Sequence, residues 1–244
     1  MAAPAIAGWF YIIRLLVWDG FNVTIDFNWY ALWEALPVVL PGVPLTLLIS
    51  VVGISIGFVI ALPLGLMSLA KSPWLRWPTM IYVEIFRGTP VLVQVLFIFY
   101  GLPQILGHPI GSLTAGFAAI AANSSSYFSE IVRGSVSSID KGQTEAGLST
   151  GLSSAQTFFQ IVWPQALRRM IPPVGNQCII SLKDTSLFSV IGVGELVRQG
   201  QIYISSTFNA LETYLLVAII YLCITLTLSM VLRTYERRRL VGQR

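Results

Sequence analysis

Charged residues are scarce in this chain of 244 residues. Asp, Glu, Lys and Arg together make up 11% of it, and 55% of the residues are hydrophobic. Soluble domains carry about 25% charged residues, so the composition favours an integral membrane protein with several spans. The net charge of +4 is small, and no basic run is interleaved with aromatic residues. Nucleic-acid binding is therefore not expected.

Histidine and cysteine are almost absent as well. The single histidine, His108, stands beside Pro109 in a short loop and cannot build a metal site alone. Cys178 and Cys223 fall in apolar runs, where small packing residues are expected rather than a disulfide. No metal site is therefore expected. A catalytic constellation within the bilayer also has little to be built from, so a membrane-embedded enzyme is rejected and no catalytic residues are expected.

Lysine occurs only at positions 71, 141 and 183, and none of the three follows a glycine. A P-loop ends in Gly-Lys-Ser or Gly-Lys-Thr, because the loop and its lysine hold the phosphates of a nucleotide. The chain therefore cannot be a P-loop ATPase.

Long stretches with few or no charges predict membrane-spanning helices, since about 20 apolar residues are needed to cross a bilayer. The sequence predicts five spans, at residues 43–68, 78–102, 112–132, 173–197 and 213–232. Within the first span, Gly53, Gly57 and Gly65 are expected to allow another helix to approach closely.

Basic residues predict the orientation of these spans. Eleven of the 15 Lys and Arg residues lie on one side, whereas only Arg14 and Arg198 lie on the other. The positive-inside rule then places the N-terminus outside and the C-terminus in the cytoplasm. The eleven residues are Lys71, Arg76, Arg133, Lys141, Arg168, Arg169, Arg233, Arg237, Arg238, Arg239 and Arg244.

The stretch from Gly142 to Met170 lies between two predicted spans, yet it is amphipathic. Gly147 and Gly151 would each cost about 1 kcal/mol inside a helix, and Ser153 and Ser154 are good N-cap candidates. We predict two short helices with a turn near Gly151, ending before Pro164. Such a hairpin fits a docking surface, or a helix that lies flat on the inner leaflet. Its apolar stripe consists of Leu148, Leu152, Ala155, Phe159, Val162 and Ala166.

Charges within the spans need partners or a purpose, because each costs about 2.5–3.5 kcal/mol near the bilayer centre on insertion scales. The spacing of three residues predicts one ion pair between Glu84 and Arg87 and another between Glu130 and Arg133. Lys183 is followed directly by Asp184.

The amphipathic stretch also carries a recognisable motif. Glu145-Ala146-Gly147 is followed by Gly151, Ile161 and Pro164. This resembles the EAA loop of ABC-transporter permeases: Glu-Ala-Ala, three residues, Gly, nine residues, Ile, two residues, Pro. Gly147 replaces the second alanine of that pattern, and we expect this change to matter little because both residues are small.

Other segments resemble the polar amino acid uptake branch of these permeases. They are FRGTPVLVQ (86–94), YFSEIVRGSV (127–136), PQALRRMIPPVGNQ (164–177) and SLKDTSLFSVIGVGEL (181–196). The resemblance implies an all-α integral membrane fold, a type I, MetI-like permease core with five transmembrane helices and cytoplasmic coupling helices. It divides the chain into an outer or interfacial segment (1–36), a permease domain (37–235) with its EAA loop (142–164), and a basic cytoplasmic tail (236–244).

The resemblance also implies a function, as a subunit that carries polar amino acids across the bacterial inner membrane. Glu145, Ala146, Gly147 and Gly151 would contact a cytoplasmic ATPase dimer, with Pro164 closing the hairpin. ATP and Mg²⁺ would bind that partner, and no cofactor is expected on this chain. The other implied partners are a periplasmic or lipid-anchored solute-binding protein, a second permease subunit of the same or another kind, and membrane lipid.

Two points stay open. Glu130 and Arg133 are expected to be structural, but Arg87, Lys183 and Asp184 could either form structural ion pairs or line the route of an amino acid, which carries both charges. The transporter could also serve another small polar solute, or be an ion-driven secondary amino acid transporter that works without an ATPase.

Overall fold

The computed structural model describes residues 27–241, with side chains up to residue 236. All regular structure in this range is helical, which confirms the all-α prediction. The helices are α1 (Trp29–Val39), α2 (Gly42–Ser68), α3 (Pro73–Gly88), α4 (Val91–Leu96), α5 (Leu102–Leu106), α6 (Ser112–Ser137), α7 (Lys141–Ser149), α8 (Ser154–Thr157), α9 (Trp163–Asp184), α10 (Leu196–Thr207) and α11 (Ala210–Val241). A π-helical segment, Phe97–Gly101, joins α4 to α5, and another, Phe158–Val162, joins α8 to α9. A 3₁₀ helix, Thr185–Ile191, follows α9.

The closest contact in the bundle joins α2 to α6, as the glycines of the first span predict. A Cβ atom built on Gly53 would lie 1.9 Å from Ile120 Cγ2, and one on Gly57 would lie 2.9 Å from the carbonyl oxygen of Ala121. Further along, Gly65 faces Val132. Since the contacts follow the same order on both helices, α2 and α6 run parallel to each other.

The predicted first and fifth spans are confirmed as helices. Among residues 27–241, Gly42–Ser68 and Ala210–Glu236 are long and apolar enough to cross a membrane. The predicted span at 78–102 is not a single helix, because α3 ends at Gly88 and the chain turns by 105° into the α4–α5 segment. Thr89 is extended before Pro90, as a residue preceding proline prefers. This bent pair would make a third span.

The remaining two predicted spans fare differently. Helix α6 contains residues 112–132 and continues to Ser137, but its many buried serines lower its hydropathy. The predicted span at 173–197 is wrong in both bounds: α9 begins at Trp163 and ends at Asp184. Gly192, with φ of +79°, stops the following 3₁₀ helix, and Glu195 caps the start of α10. The count of five spans therefore remains a prediction.

Helix α1 occupies part of the segment expected to precede the permease core. Its buried residues Ala31, Ala35 and Val39 pack towards α10 and α11. Asn28 caps the helix, and its N–H donates to Glu212 Oε1 of α11 at 2.9 Å. The boundary predicted between residues 36 and 37 falls inside this helix. The rest of that segment, residues 1–26, lies outside the described residues, as do the final residues of the basic tail.

The α2–α6 contact predicts an asymmetric response to alanine substitutions. Gly57→Ala should lower the free energy of unfolding by about 1–3 kcal/mol, because the new methyl group meets a backbone oxygen that cannot move aside. The matched control is Gly134→Ala in α6, where nothing lies within 4 Å of the added Cβ. Thermal unfolding in detergent measures both variants, and equal stabilities would contradict the packing described here.

Candidate functional site

The hairpin between α6 and α9 has the turn and the cap that the sequence predicts. Gly151 adopts φ of +86°, a left-handed conformation that favours glycine. Ser153 then caps α8: its Oγ accepts from the Gln156 N–H at 3.3 Å, while Gln156 Oε1 accepts from the Ser153 N–H at 2.9 Å. This reciprocal pair is a capping box, which satisfies two backbone donors at the start of the helix.

The hairpin does not end before Pro164, so that prediction is wrong. The chain passes from α8 through the π-helical segment into α9, with Pro164 in the first turn of α9. A proline lacks the N–H of a regular helix and clashes with the carbonyl group four residues earlier. Here the Trp163 N–H bonds to the Phe158 oxygen five residues back, and this wider turn accommodates the proline. Residues 154–184 therefore form consecutive helical segments without a break, with Pro172 and Pro173 also inside the last of them.

Gly147 is the contact point between the two arms of the hairpin. A Cβ atom at this position would lie 2.6 Å from Thr157 Cγ2 and 2.9 Å from Ile161 Cδ1. The alanine of the family pattern would therefore collide with Thr157, contrary to the expectation that either small residue serves. Glycine at position 147 and threonine at position 157 are a matched pair.

Polar side chains close the base of the hairpin. Gln165 Nε2 donates to Gln143 Oε1 at 3.1 Å and so joins α9 to α7. One turn further along α9, the Arg169 guanidinium donates to Ser138 Oγ at 3.0 Å and to the Ser138 carbonyl oxygen. A cation is favourable at that carbonyl because it lies at the C-terminal end of α6. The hairpin is thus tied to both helices that emerge from the bundle.

The predicted apolar stripe divides into a buried part and an exposed part. Val162 and Ala166 are buried between the hairpin and α6, whereas Phe159 is 62% exposed and Leu148 is 45% exposed. The sequence-predicted coupling residues divide in the same way: Gly147 is buried, and Glu145, Ala146, Gly151 and Pro164 are exposed. We call the exposed residues Glu145, Ala146, Leu148, Gly151 and Phe159 the hairpin face.

The predicted ion pair between Glu130 and Arg133 is confirmed, with both oxygens of Glu130 at 2.8 Å from the guanidinium. The predicted pair between Glu84 and Arg87 is wrong. Arg87 instead bridges to Glu130 at 3.3 Å and lies over the ring of Tyr127. Arg87 lies in the last turn of α3, and both of these partners belong to α6. Within the described part of the chain Glu84 has no ion-pair partner.

Lys183 and Asp184 lie at the end of α9 and do not pair with each other in the described structure. Lys183 is exposed and Asp184 is half-buried. Pro173, Asn176 and Ile180 are exposed on the same helix, at steps of three or four residues before Lys183. This face of α9 therefore carries polar groups that the chain itself does not cover.

Two buried polar features were missed by the sequence reasoning. One is a seam of hydroxyl groups on α6, signalled by the run ANSSSYFS, in which Ser124 Oγ lies 3.1 Å from Ser181 Oγ of α9. The other is Glu195, which is fully buried. Its carboxylate accepts from the Val197 and Arg198 N–H groups at 2.9 and 2.8 Å, and from the Tyr221 hydroxyl at 3.1 Å. Both features join helices through polar contacts.

Among the described residues, no three His, Cys, Asp or Glu side chains are grouped to hold a metal ion.

Comparison with known proteins gives a consistent result. Residues 53–241 match the family of the binding-protein-dependent transport system inner membrane component. The glutamine transport system permease protein GlnP of Escherichia coli (strain K12) is 48% identical over 214 residues, covering 87% of this chain and 98% of the relative. The L-cystine transport system permease protein TcyL of Bacillus subtilis (strain 168) is 36% identical over 218 residues, covering 87% and 91%. A crystal structure of an amino acid ABC transporter with histidines is 36% identical, with a TM-score of 0.83, and covers 88% of this chain and 100% of that chain.

The hairpin geometry predicts that Gly147 and Thr157 are energetically coupled. Gly147→Ala should lower the free energy of unfolding by about 1–3 kcal/mol, because the added methyl group overpacks the contact. Thr157→Ala should largely restore it, since it removes two of the three atoms nearest the new Cβ, and Thr157 Oγ1 has no hydrogen-bond partner to lose. A double-mutant cycle on thermal unfolding measures the coupling, and simple additivity of the two substitutions would contradict it.

Proposed function

The chain belongs to the inner membrane components of binding-protein-dependent transport systems, and from that premise we propose that it is the permease subunit of an ABC importer for amino acids. The observation that carries this proposal is the hairpin face, a set of exposed residues that includes Glu145, Ala146 and Gly151 of the EAA-like motif. Relatives that transport glutamine and cystine support the amino acid class. The exposed face of α9 carries Asn176 and Lys183, polar groups that suit such a solute, which has a carboxylate and an ammonium group.

The hairpin face is proposed to bind the ATPase subunit. Phe159 and Leu148 expose apolar surface beside Glu145 and Ala146, a composition that suits burial against a protein. Gly147 acts differently from Glu145, Ala146 and Gly151, because it holds the two arms together rather than touching the partner. The capping box, the Gly147–Thr157 contact and the Gln143–Gln165 bond make the hairpin stiff, so that a push on its face is transmitted along α9.

The wider assembly follows from the same proposal. The hairpin lies in the cytoplasm, the N-terminus outside, and five spans cross the inner membrane. ATP and Mg²⁺ bind the ATPase dimer rather than this chain. A solute-binding protein delivers the amino acid on the outer side, and a second permease subunit covers the exposed polar face of α9.

Lys183 and Asp184 are proposed to line the route of the amino acid. Support comes from the exposure of Lys183 and the lack of any ion-pair partner for it in the described chain. Arg87 is proposed to be structural instead, because Glu130 and Tyr127 already hold it.

The docking proposal predicts that Ala146→Arg uncouples transport. Residue 146 is exposed, so the isolated permease should keep its thermal stability, while the bulky charge on the hairpin face should lower ATP-driven uptake at least tenfold. Uptake into proteoliposomes containing the whole complex measures the effect. The control is Ser205→Arg, at an exposed position of α10, which should transport normally. Full uptake by the Ala146 variant would contradict the assignment of the hairpin face.

The pathway proposal predicts a charge requirement at residue 183. Lys183→Ala should reduce uptake several-fold although the complex still assembles, because the substrate carboxylate loses its cation, and Lys183→Arg should retain most of the activity. Lys71→Ala, which removes an exposed lysine between α2 and α3, serves as the control. If Lys183→Ala transports at the normal rate in an intact complex, this residue does not line the route.

A further inference from the structure

The bend between α3 and α4 creates a structural problem that the fold must solve. Thr89 and Pro90 are extended, and the axes of the two helical segments differ by 105°. The carbonyl groups at the end of α3 consequently lack the N–H partners that a continuing helix would supply. In a membrane, such groups must be satisfied by the protein itself.

Gln94 of α4 reaches back over the bend and supplies a donor. Its Nε2 donates to the Phe86 carbonyl oxygen at 2.7 Å, to the Thr89 carbonyl oxygen at 3.0 Å and to Thr89 Oγ1 at 2.9 Å. The side chain is buried. These acceptors fix the orientation of the Gln94 amide, because the reverse orientation would place Oε1 against two carbonyl oxygens.

Asn123 of α6 completes the arrangement. Its Nδ2 donates to Gln94 Oε1 at 3.2 Å. Because Gln94 must present its oxygen here, Asn123 must present its nitrogen, and Asn123 Oδ1 is left buried without a hydrogen-bond partner. An apolar side chain would avoid this unpaired oxygen, so the asparagine is explained by the single bond that it makes to Gln94.

Neighbouring contacts tie the second half of α3 to α6 close to Asn123. The Tyr82 hydroxyl lies 2.6 Å from Ser125 Oγ and 3.1 Å from the Ala122 carbonyl oxygen. Further along α6, Glu130 holds Arg87. Helix α6 itself packs closely against α2. These contacts therefore hold the bend in a fixed position relative to the α2–α6 pair.

We propose that Gln94 and Asn123 form a clasp that sets the direction of α4 relative to α3, with Asn123 positioning the Gln94 amide. The consequence reaches the proposed pathway, because Val95, next to Gln94, packs in one cluster with Phe188 of the 3₁₀ helix that follows Asp184. Gln94 and Asn123 are thus positioning residues. Only the link from the clasp to transport, through Val95 and Phe188, rests on the proposed function.

The direct test measures the bend by pulsed electron–electron double resonance, which gives the distribution of distances between two spin labels. Spin labels are placed on α3 and α5 at the exposed positions Met80 and Ile105, after Cys178 and Cys223 have been replaced by serine. Gln94→Met should broaden the distance distribution, because it keeps the length of the side chain but removes the donor. Asn123→Leu should broaden it less, and the double variant should be no worse than Gln94→Met alone.

Two controls keep the clasp falsifiable. Gln104→Met makes the same chemical change at an exposed glutamine of α5 and should leave the distribution narrow. A second label pair on α2 and α6, at Leu48 and Leu113, reports whether the bundle remains intact. If Gln94→Met also disturbs that pair, Asn123→Leu decides. A broader Met80–Ile105 distance distribution with an unchanged Leu48–Leu113 distribution supports the clasp, and an unchanged Met80–Ile105 distribution overturns it.

The outcome separates the clasp from the proposed function, because the distance measurement requires neither ATPase nor substrate. An unchanged Met80–Ile105 distance distribution in Gln94→Met overturns the clasp even if uptake falls. A broader distribution supports the clasp whether or not the chain proves to transport amino acids. Variants with a broader distribution should also show lower uptake in the whole complex.

Discussion

The close contact between α2 and α6 fixes the helix, α6, against which α3, α4 and α9 are held in the described chain. Three glycines let the two helices meet nearly backbone to backbone, which in a bilayer gains dispersion contacts that side chains would prevent. Helix α6 also carries the polar groups that hold α3, α4 and α9, namely the hydroxyl seam, Asn123 and Glu130. Since lipid offers no hydrogen bonds, these contacts within the protein favour the observed arrangement of the helices.

The parts of the structure that sequence reasoning predicts are those governed by local rules. Helix α2 and the body of α11 follow from uncharged length, and the turn at Gly151 with the cap at Ser153 follows from backbone preference. The parts that it misses depend on distant partners. Arg87 pairs with Glu130, 43 residues away, rather than with Glu84 one turn before it, and the bend after Gly88 is stabilised by side chains from α4 and α6.

Proline explains two of the errors in opposite ways. At Thr89–Pro90 the helix breaks within the span predicted at 78–102, whereas at Pro164 it continues where an end was predicted. The difference is the π-helical segment before Pro164, whose wider turn removes the conflict with the preceding carbonyl. The same device precedes Pro103, which also lies six residues after the first residue of a π-helical segment. Motif spacing alone also could not reveal that Gly147 is buried against Thr157 while its neighbours are exposed.

These features together describe a stiff hairpin fused to a long helix, with an exposed face at one end and unpaired polar groups at the other. The most direct test of this account is gentle extraction of the protein from its native membrane, followed by identification of the co-purifying subunits and assay of transport in vesicles. The account predicts a P-loop ATPase in the complex and uptake that requires ATP. A preparation of this chain alone that transports amino acids without ATP would contradict it.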